Sequence, residues 1–144
     1  MLKGFMDTSM NSNFNPQDAK CIAEEIVKVL IEKKGRAIKL FDVKETSSIT
    51  DYYVNVTGGS NTQVASLADE VVYKLGLLGV EALRVEGRRA NEWLLVDYGN
   101  VIVNVFDKKS RDYYDLDRHF SPDAIVDITE LEREVDIKLG IETD

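Results

Sequence analysis

Residues 92–106 read Glu-Trp-Leu-Leu-Val-Asp-Tyr-Gly-Asn-Val-Ile-Val-Asn-Val-Phe, two apolar runs on either side of Tyr98-Gly99-Asn100. Branched and aromatic residues fit a pleated, packed surface, and a glycine-centred turn reverses the chain within a few residues. The pattern predicts a β-hairpin with strands over 92–97 and 101–106, and the only tryptophan of the chain, Trp93, sits on its first strand. Any fold must be built around this hairpin, so the remaining segments are read as elements that pair with it or cover it.

Asn15-Pro16-Gln17-Asp18 has the features of a helix start, with asparagine as N-cap and proline at the first helical position. The helix is expected to run to about Lys34, with Ile22, Ile26, Val29 and Leu30 on its apolar stripe and Gly35 as its stop. Residues 37–43 and 52–57 read as strands separated by a polar loop. Ser60-Asn61-Thr62-Gln63 has capping-box spacing and opens a second helix, whose Val64, Leu67, Ala68, Val71, Val72, Leu75 and Leu78 form one broad apolar face up to Gly79. A strand over 82–86 precedes the hairpin. After it, a helix is expected over 108–120, with Tyr113, Leu116 and Phe120 on one face and Arg111, Asp115 and Arg118 turned outward. Thr129-Glu130-Leu131-Glu132 has the spacing of another capping box, and Leu131, Val135 and Leu139 indicate a short acidic helix outside the domain.

This order predicts an α/β single-domain sandwich with a five-stranded mixed sheet, since crossover helices imply parallel pairs and the hairpin imposes an antiparallel one. The expected organisation is a flexible leader over 1–14, the domain over 15–121 and an acidic tail over 122–144. A chain of 144 residues is long enough to bury a core without disulfides or a structural metal. No apolar run approaches the roughly 20 residues needed to span a bilayer. The lone Cys21 has no partner for an intramolecular disulfide, and the N-terminal residues have neither an apolar signal core nor an arginine-rich transit pattern, which together point to the cytoplasm. Residues 122–144 hold 8 acidic and 2 basic residues, so −6 of the net charge of −8 lies there and only −2 in the rest. A near-neutral body with an acidic tail is poorly suited to gripping phosphate backbones, and a basic protein partner fits it better than naked RNA.

Few residues are placed for catalysis. Thr57-Gly58-Gly59-Ser60 is a glycine-rich turn ahead of a helix, where backbone donors can cradle an anion, and it resembles the Gly-Ser turn of nucleotidyltransferases. That chemistry needs a carboxylate pair on the next strand to hold magnesium, and none follows. A tight turn before a capped helix is the simpler reading. His119 is the only histidine, which removes any histidine dyad or cluster. Cys21 beside an apolar stripe reads as a small, partly buried hydrophobe, and Asp51 and Asp97 at strand or loop ends read as backbone caps. Residue chemistry alone leaves Trp93 open between core and interface. Tyr98 at a hairpin tip has the apolar body and polar end of an interface anchor.

Several ordered motifs over residues 21–120 resemble the Iojap and ribosomal silencing factor family. The hairpin is similar to its "W-x-x-x-D-x-G-D-V-x-V-H-x-F" core, and Ser47-Ser48-Ile49-Thr50-Asp51-Tyr52-Tyr53 to its "S-S-I-T-D-Y-F". Thr57-Gly58-Gly59-Ser60, Leu67-Ala68-Asp69, Glu86-Gly87 and Arg111 with Tyr114-Asp115-Leu116-Asp117 follow in the family's order. The resemblance implies a nucleotidyltransferase-like fold without transferase activity and without a cofactor. It further implies binding to ribosomal protein L-fourteen on the large ribosomal subunit, which blocks joining of the small subunit and lowers translation. Organellar relatives imply an alternative role in large-subunit assembly, and a nucleotide-binding or nucleotidyl-transferring enzyme is the alternative from another class.

Where the family carries histidine, aspartate and histidine, this chain has Gln63, Asn100 and Asn104, and the family's terminal "L-W" is His119-Phe120. Amides keep hydrogen-bonding capacity but relay no protons, which suits binding rather than catalysis. On this resemblance the expected docking patch comprises Trp93, Asp97, Tyr98, Tyr114 and Leu116, with Trp93 and Tyr98 supplying aromatic area and Asp97 facing a basic group. Little direct contact with nucleic acid and a monomer or weak homodimer are expected.

Overall fold

The computed structural model describes residues 13–140 except Arg89. Most of the leader expected over 1–14 therefore lies outside the described residues, although Phe14 packs against the core. The first helix, α1 (Ala19–Glu32), begins later than the sequence pattern indicates. The Asn15 side chain closes a turn of its own by accepting from the Gln17 N–H at 2.9 Å, and Asp18 is the N-cap, accepting from the Lys20 N–H. Both residue types cap well, and the one nearer the apolar stripe takes the role. At the other end Lys34, not Gly35, adopts the left-handed conformation at φ 64°, while the Gly35 N–H closes the last turn onto the Leu30 carbonyl at 2.8 Å.

The strands are β1 (Arg36–Asp42), β2 (Tyr52–Gly58), β3 (Arg84–Glu86), β4 (Trp93–Asp97), β5 (Val101–Asp107) and β6 (Ile125–Val126), and α2 (Asn61–Leu77) crosses over between β2 and β3. They form one sheet in the order β3-β4-β5-β2-β1-β6. Only β2 and β5 run parallel; the hairpin pair β4–β5 is antiparallel, as its sequence predicts. The sheet thus has six strands rather than five. The additional one is two residues long, pairing Val126 with Leu40 and Ile125 with Phe41, too short to show any periodicity.

Alternation along the strands separates two faces. Tyr52, Val54 and Val56 of β2, Val101, Val103 and Val105 of β5, and Leu94 and Val96 of β4 pack with α1 and α2 in the main core. Half of the capping box expected at α2 is formed: Ser60 accepts from the Gln63 N–H at 3.1 Å, but the Gln63 side chain reaches one residue further back and accepts from the Gly59 N–H instead of that of Ser60.

The opposite face is covered by α3 (Lys108–Tyr114) and a 3₁₀ turn (Leu116–His119). A single helix over 108–120 was the expectation. Instead Asp115 adopts the left-handed conformation at φ 50°, ψ 46° and ends α3, a geometry that aspartate tolerates better than most side chains. The break inverts two orientations. Arg111, expected to face outward, is buried, and Tyr113, expected on the covered face, is 80% exposed.

Residues 122–140, expected as a tail with a helix outside the domain, close onto it through β6 and through α4 (Thr129–Lys138), which packs on α1. Leu131 and Val135 are buried at this contact. Burial of one such side chain contributes about 1.5–3 kcal/mol, whereas the partly exposed pairs Lys28–Glu134 at 3.3 Å and Lys138–Glu32 at 3.4 Å belong to a class contributing about 1 kcal/mol or less. The apolar stripe therefore decides the docking. The capping box expected at Thr129 is not formed: Asp127 accepts from the Thr129 N–H at 3.0 Å, and Thr129 is already the first helical residue.

Candidate interaction site

The α3 face of the sheet carries an aromatic cluster at one edge. Trp93 of β4 lies opposite Phe106 of β5 in the ladder, with ring centroids 5.0 Å apart, and the exposed end of α3 brings Tyr114 to 4.6 Å from Trp93. Tyr113 packs edge-on against Tyr114 at 5.0 Å. Trp93 is half-buried and Tyr114 is 47% exposed, so together with Tyr113 they present a contiguous aromatic surface. An open recess of about 230 Å³ lies beside it, lined by Gly87, Ala90, Glu92, Trp93, Ser110 and Tyr114. Gly87 at φ 94° makes this close approach possible, because a Cβ there would stand 2.1 Å from the Trp93 carbonyl oxygen.

Beneath the aromatic surface runs a chain of hydrogen bonds that crosses the sheet. The Trp93 indole N–H donates to Asn104 Oδ1 at 3.0 Å, Asn104 Nδ2 donates to Asn55 Oδ1 at 3.0 Å, and Asn55 Nδ2 donates to Asp117 Oδ1 at 2.7 Å. Asp117 Oδ2 accepts from Arg111 Nη2 at 2.9 Å. Arg111 also donates to Thr57 Oγ1 and to the Ala37 carbonyl, both at 2.9 Å. The break at Asp115 makes this possible: residues six apart on an unbroken helix do not face each other, and the 3₁₀ turn folds Asp117 back onto Arg111. At the far end of the same face, Phe120 stacks on Phe41 at 4.4 Å and on Tyr53 at 5.1 Å. Burial, and secondarily the Asp97 carboxylate, push the Tyr53 pKa above its ordinary value.

The structure thus brings together Trp93 and Tyr114, with Leu116 at the start of the turn that carries Asp117. Asp97 shares the Trp93 face of the sheet, but its carboxylate is engaged within the chain, accepting from the Gly99 N–H at 2.7 Å and from Arg84 Nε at 3.1 Å. Tyr98 departs from the expected patch. It is 8% exposed and belongs to the main core on the other side of the sheet. The turn does not leave it at the surface, because Gly99 takes the left-handed conformation at φ 88° and the Tyr98 N–H closes back onto the Val101 carbonyl. Burial, with a smaller contribution from the Glu81 carboxylate, pushes the Tyr98 pKa up.

The buried Tyr98 hydroxyl has no hydrogen-bond partner among the described residues. Tyr98→Phe is therefore expected to leave the urea unfolding midpoint unchanged or to raise stability by up to about 1 kcal/mol, since an unpaired buried hydroxyl contributes a desolvation cost and no bond. A clear loss of stability would show that the hydroxyl is bonded.

At the glycine-rich turn the Gly59 N–H is already taken by Gln63, and the Arg36 guanidinium lies directly against Gly59. Cys21 is half-buried with its thiol directed to Asp18 at 3.5 Å, and His119 is exposed on the 3₁₀ turn. Among the described residues no group of three His, Cys, Asp or Glu is placed to hold a metal ion, and no helix is long and apolar enough to cross a membrane. A larger groove of about 690 Å³ lies between α1, α2 and α4. Its rim charges pair with one another, as in Lys28–Glu134 and Lys138–Glu32.

The family profile described as "Ribosomal silencing factor during starvation" matches residues 16–140. The chain belongs to this family. A ribosomal silencing factor of Chromobacterium violaceum is 40% identical over 98 residues, covering 65% of this chain and 80% of that protein. One from Haemophilus influenzae is 34% identical over 97 residues, covering 67% of this chain and 95% of its own length. The mouse protein named "Mitochondrial assembly of ribosomal large subunit protein 1" is 26% identical over 133 residues, covering 88% of this chain and 58% of that protein. A crystal structure of a Chromobacterium violaceum protein superposes with a TM-score of 0.67 at 36% identity, covering 69% of this chain and 83% of the other.

The family profile reaches Gly140, so β6 and α4 lie within the matched region. Asn104 is the residue that bonds the Trp93 indole. The signal that could have revealed the hydrogen-bonded chain was present in the sequence: Asn55 and Asn104 interrupt two otherwise apolar strands and face each other across the β2–β5 ladder.

Proposed function

We propose that the chain is a ribosomal silencing factor that binds the large ribosomal subunit through ribosomal protein L-fourteen and blocks joining of the small subunit, repressing translation by occupancy rather than by catalysis. The observation that carries this reading is the aromatic surface formed by the half-buried Trp93 with the exposed Tyr114 and Tyr113, mounted on β4 over a hydrogen-bond chain that runs through the buried Asn104. Aromatic anchors on a rigid support are the residues that dominate protein interfaces. Trp93, Tyr114 and Leu116 supply the apolar centre of the docking patch, and Asp97 with its Arg84 partner lies on the same sheet face, at its polar rim. Membership of the silencing factor family supports the ribosomal partner. The engaged Gly59 N–H and the lack of a carboxylate pair after the glycine turn support action without nucleotide chemistry.

The test is sedimentation of the purified chain with isolated large and small subunits. Co-migration with the large subunit and a reduced yield of joined ribosomes are expected. No association with either subunit would overturn the reading. The name of the mouse relative supports a second role for the same patch, in assembly of the large subunit. Preferential co-sedimentation with precursor particles would favour that role.

A further inference from the structure

We propose that Asn104 and Asn55 are positioning residues for the docking patch, holding the Trp93 indole and the Leu116–His119 turn in one joint arrangement. The inference rests on the docking reading above. Its basis is the polarity of the hydrogen-bond chain. The indole N–H at one end only donates, and the Asp117 carboxylate at the other, ion-paired with Arg111 at 2.9 Å, only accepts. Each amide between them must accept on its tryptophan side and donate on its aspartate side. Only one orientation of each amide satisfies all three bonds, and flipping either would set donor against donor or acceptor against acceptor at about 3 Å.

Asn55 and Asn104 are 0% and 1% exposed, so solvent cannot repair a flipped amide. The side-chain position of Trp93 is thereby coupled to that of Asp117, which lies on a different element of the fold. Tyr114 stacks on Trp93 at one end, and Leu116 precedes Asp117 at the other. Apolar residues of similar volume at 55 and 104 would fill the same strand positions without desolvating two amides, so stability alone does not account for the pair. What the amides add is a single allowed geometry for a surface that must present its aromatic rings before a partner arrives, which lowers the ordering cost of binding.

Trp93 is the only tryptophan, so its fluorescence reports this arrangement without a label. Asn104→Leu removes both of its bonds. Asn55→Asp is isosteric and sets a carboxylate against Asp117, which keeps the test available should Asn104→Leu fail to fold. With the fold verified by circular dichroism, each variant is expected to show lower Trp93 anisotropy and stronger acrylamide quenching than the wild type, and about tenfold weaker binding to isolated large subunits. Folded variants with unchanged Trp93 anisotropy and quenching would overturn the coupling. Variants with a loosened indole that bind as tightly as the wild type would overturn the positioning role alone. A wild-type chain that does not bind large subunits would overturn the docking reading and the positioning role together.

Discussion

Arg111→Met is expected to lower the unfolding free energy by about 3 kcal/mol, among the largest effects available to a single side chain of this fold. Methionine keeps most of the apolar stem and removes the guanidinium. The Asp117 carboxylate would lose its ion-pair partner, and Thr57 Oγ1 and the Ala37 carbonyl would each lose a donor at 2.9 Å. The Arg111 side chain is 9% exposed and that of Asp117 24%, so water compensates only in part, which places the cost at the lower end of the range for broken buried pairs. The unfolding curve in urea reads the effect directly. Adding Asp117→Leu to Arg111→Met should recover much of the loss, because the stranded carboxylate is then gone. An Arg111→Met variant within about 0.5 kcal/mol of the wild type would mean that the guanidinium already exchanges its partners for water.

Arg111 also shows where a sequence pattern stops being informative. The regular elements were legible because each had a local cause. The hairpin follows from apolar runs around a glycine turn, and α2 from a capping box followed by a broad apolar face. Helical periodicity over 108–120 failed because one residue, Asp115, leaves the helical region, after which spacing by 3 and 4 no longer describes which side chains share a face. Once that break is present, Arg111 turns inward and Tyr113 outward, the reverse of the continuous-helix reading. Docking of α4 was equally hidden. Its net acidity describes the solvent face, while two buried residues, Leu131 and Val135, fix it to α1. At the candidate site, the ladder register follows from the hairpin and places Trp93 beside Phe106, but Tyr98 shows that position in a turn does not establish exposure. Its ring faces the core because the strand alternation carries through the residue after Asp97.

Trp93→Ala is expected to weaken binding to the large subunit by about 2 kcal/mol, roughly thirtyfold, if Trp93 anchors the docking patch. Two effects combine in that number. One is the loss of indole surface beside Tyr114, and the other is disorder in Asn104, whose Oδ1 loses its donor from Trp93. Trp93→Phe separates them, since it retains an aromatic ring and removes only the N–H and part of the area. An intermediate loss for Trp93→Phe would assign part of the affinity to the hydrogen-bonded arrangement. Tyr114→Ala is the complementary probe, because Tyr114 is 47% exposed and truncating it should change binding much more than stability. Titration of each folded variant against isolated large subunits gives the comparison, with urea unfolding as the check on stability. If Trp93→Ala and Tyr114→Ala both bound as tightly as the wild type, the aromatic surface would not be the docking site. Any ribosomal contact would then have to lie elsewhere on the fold, and the groove of about 690 Å³ between α1, α2 and α4 offers another concave surface for it.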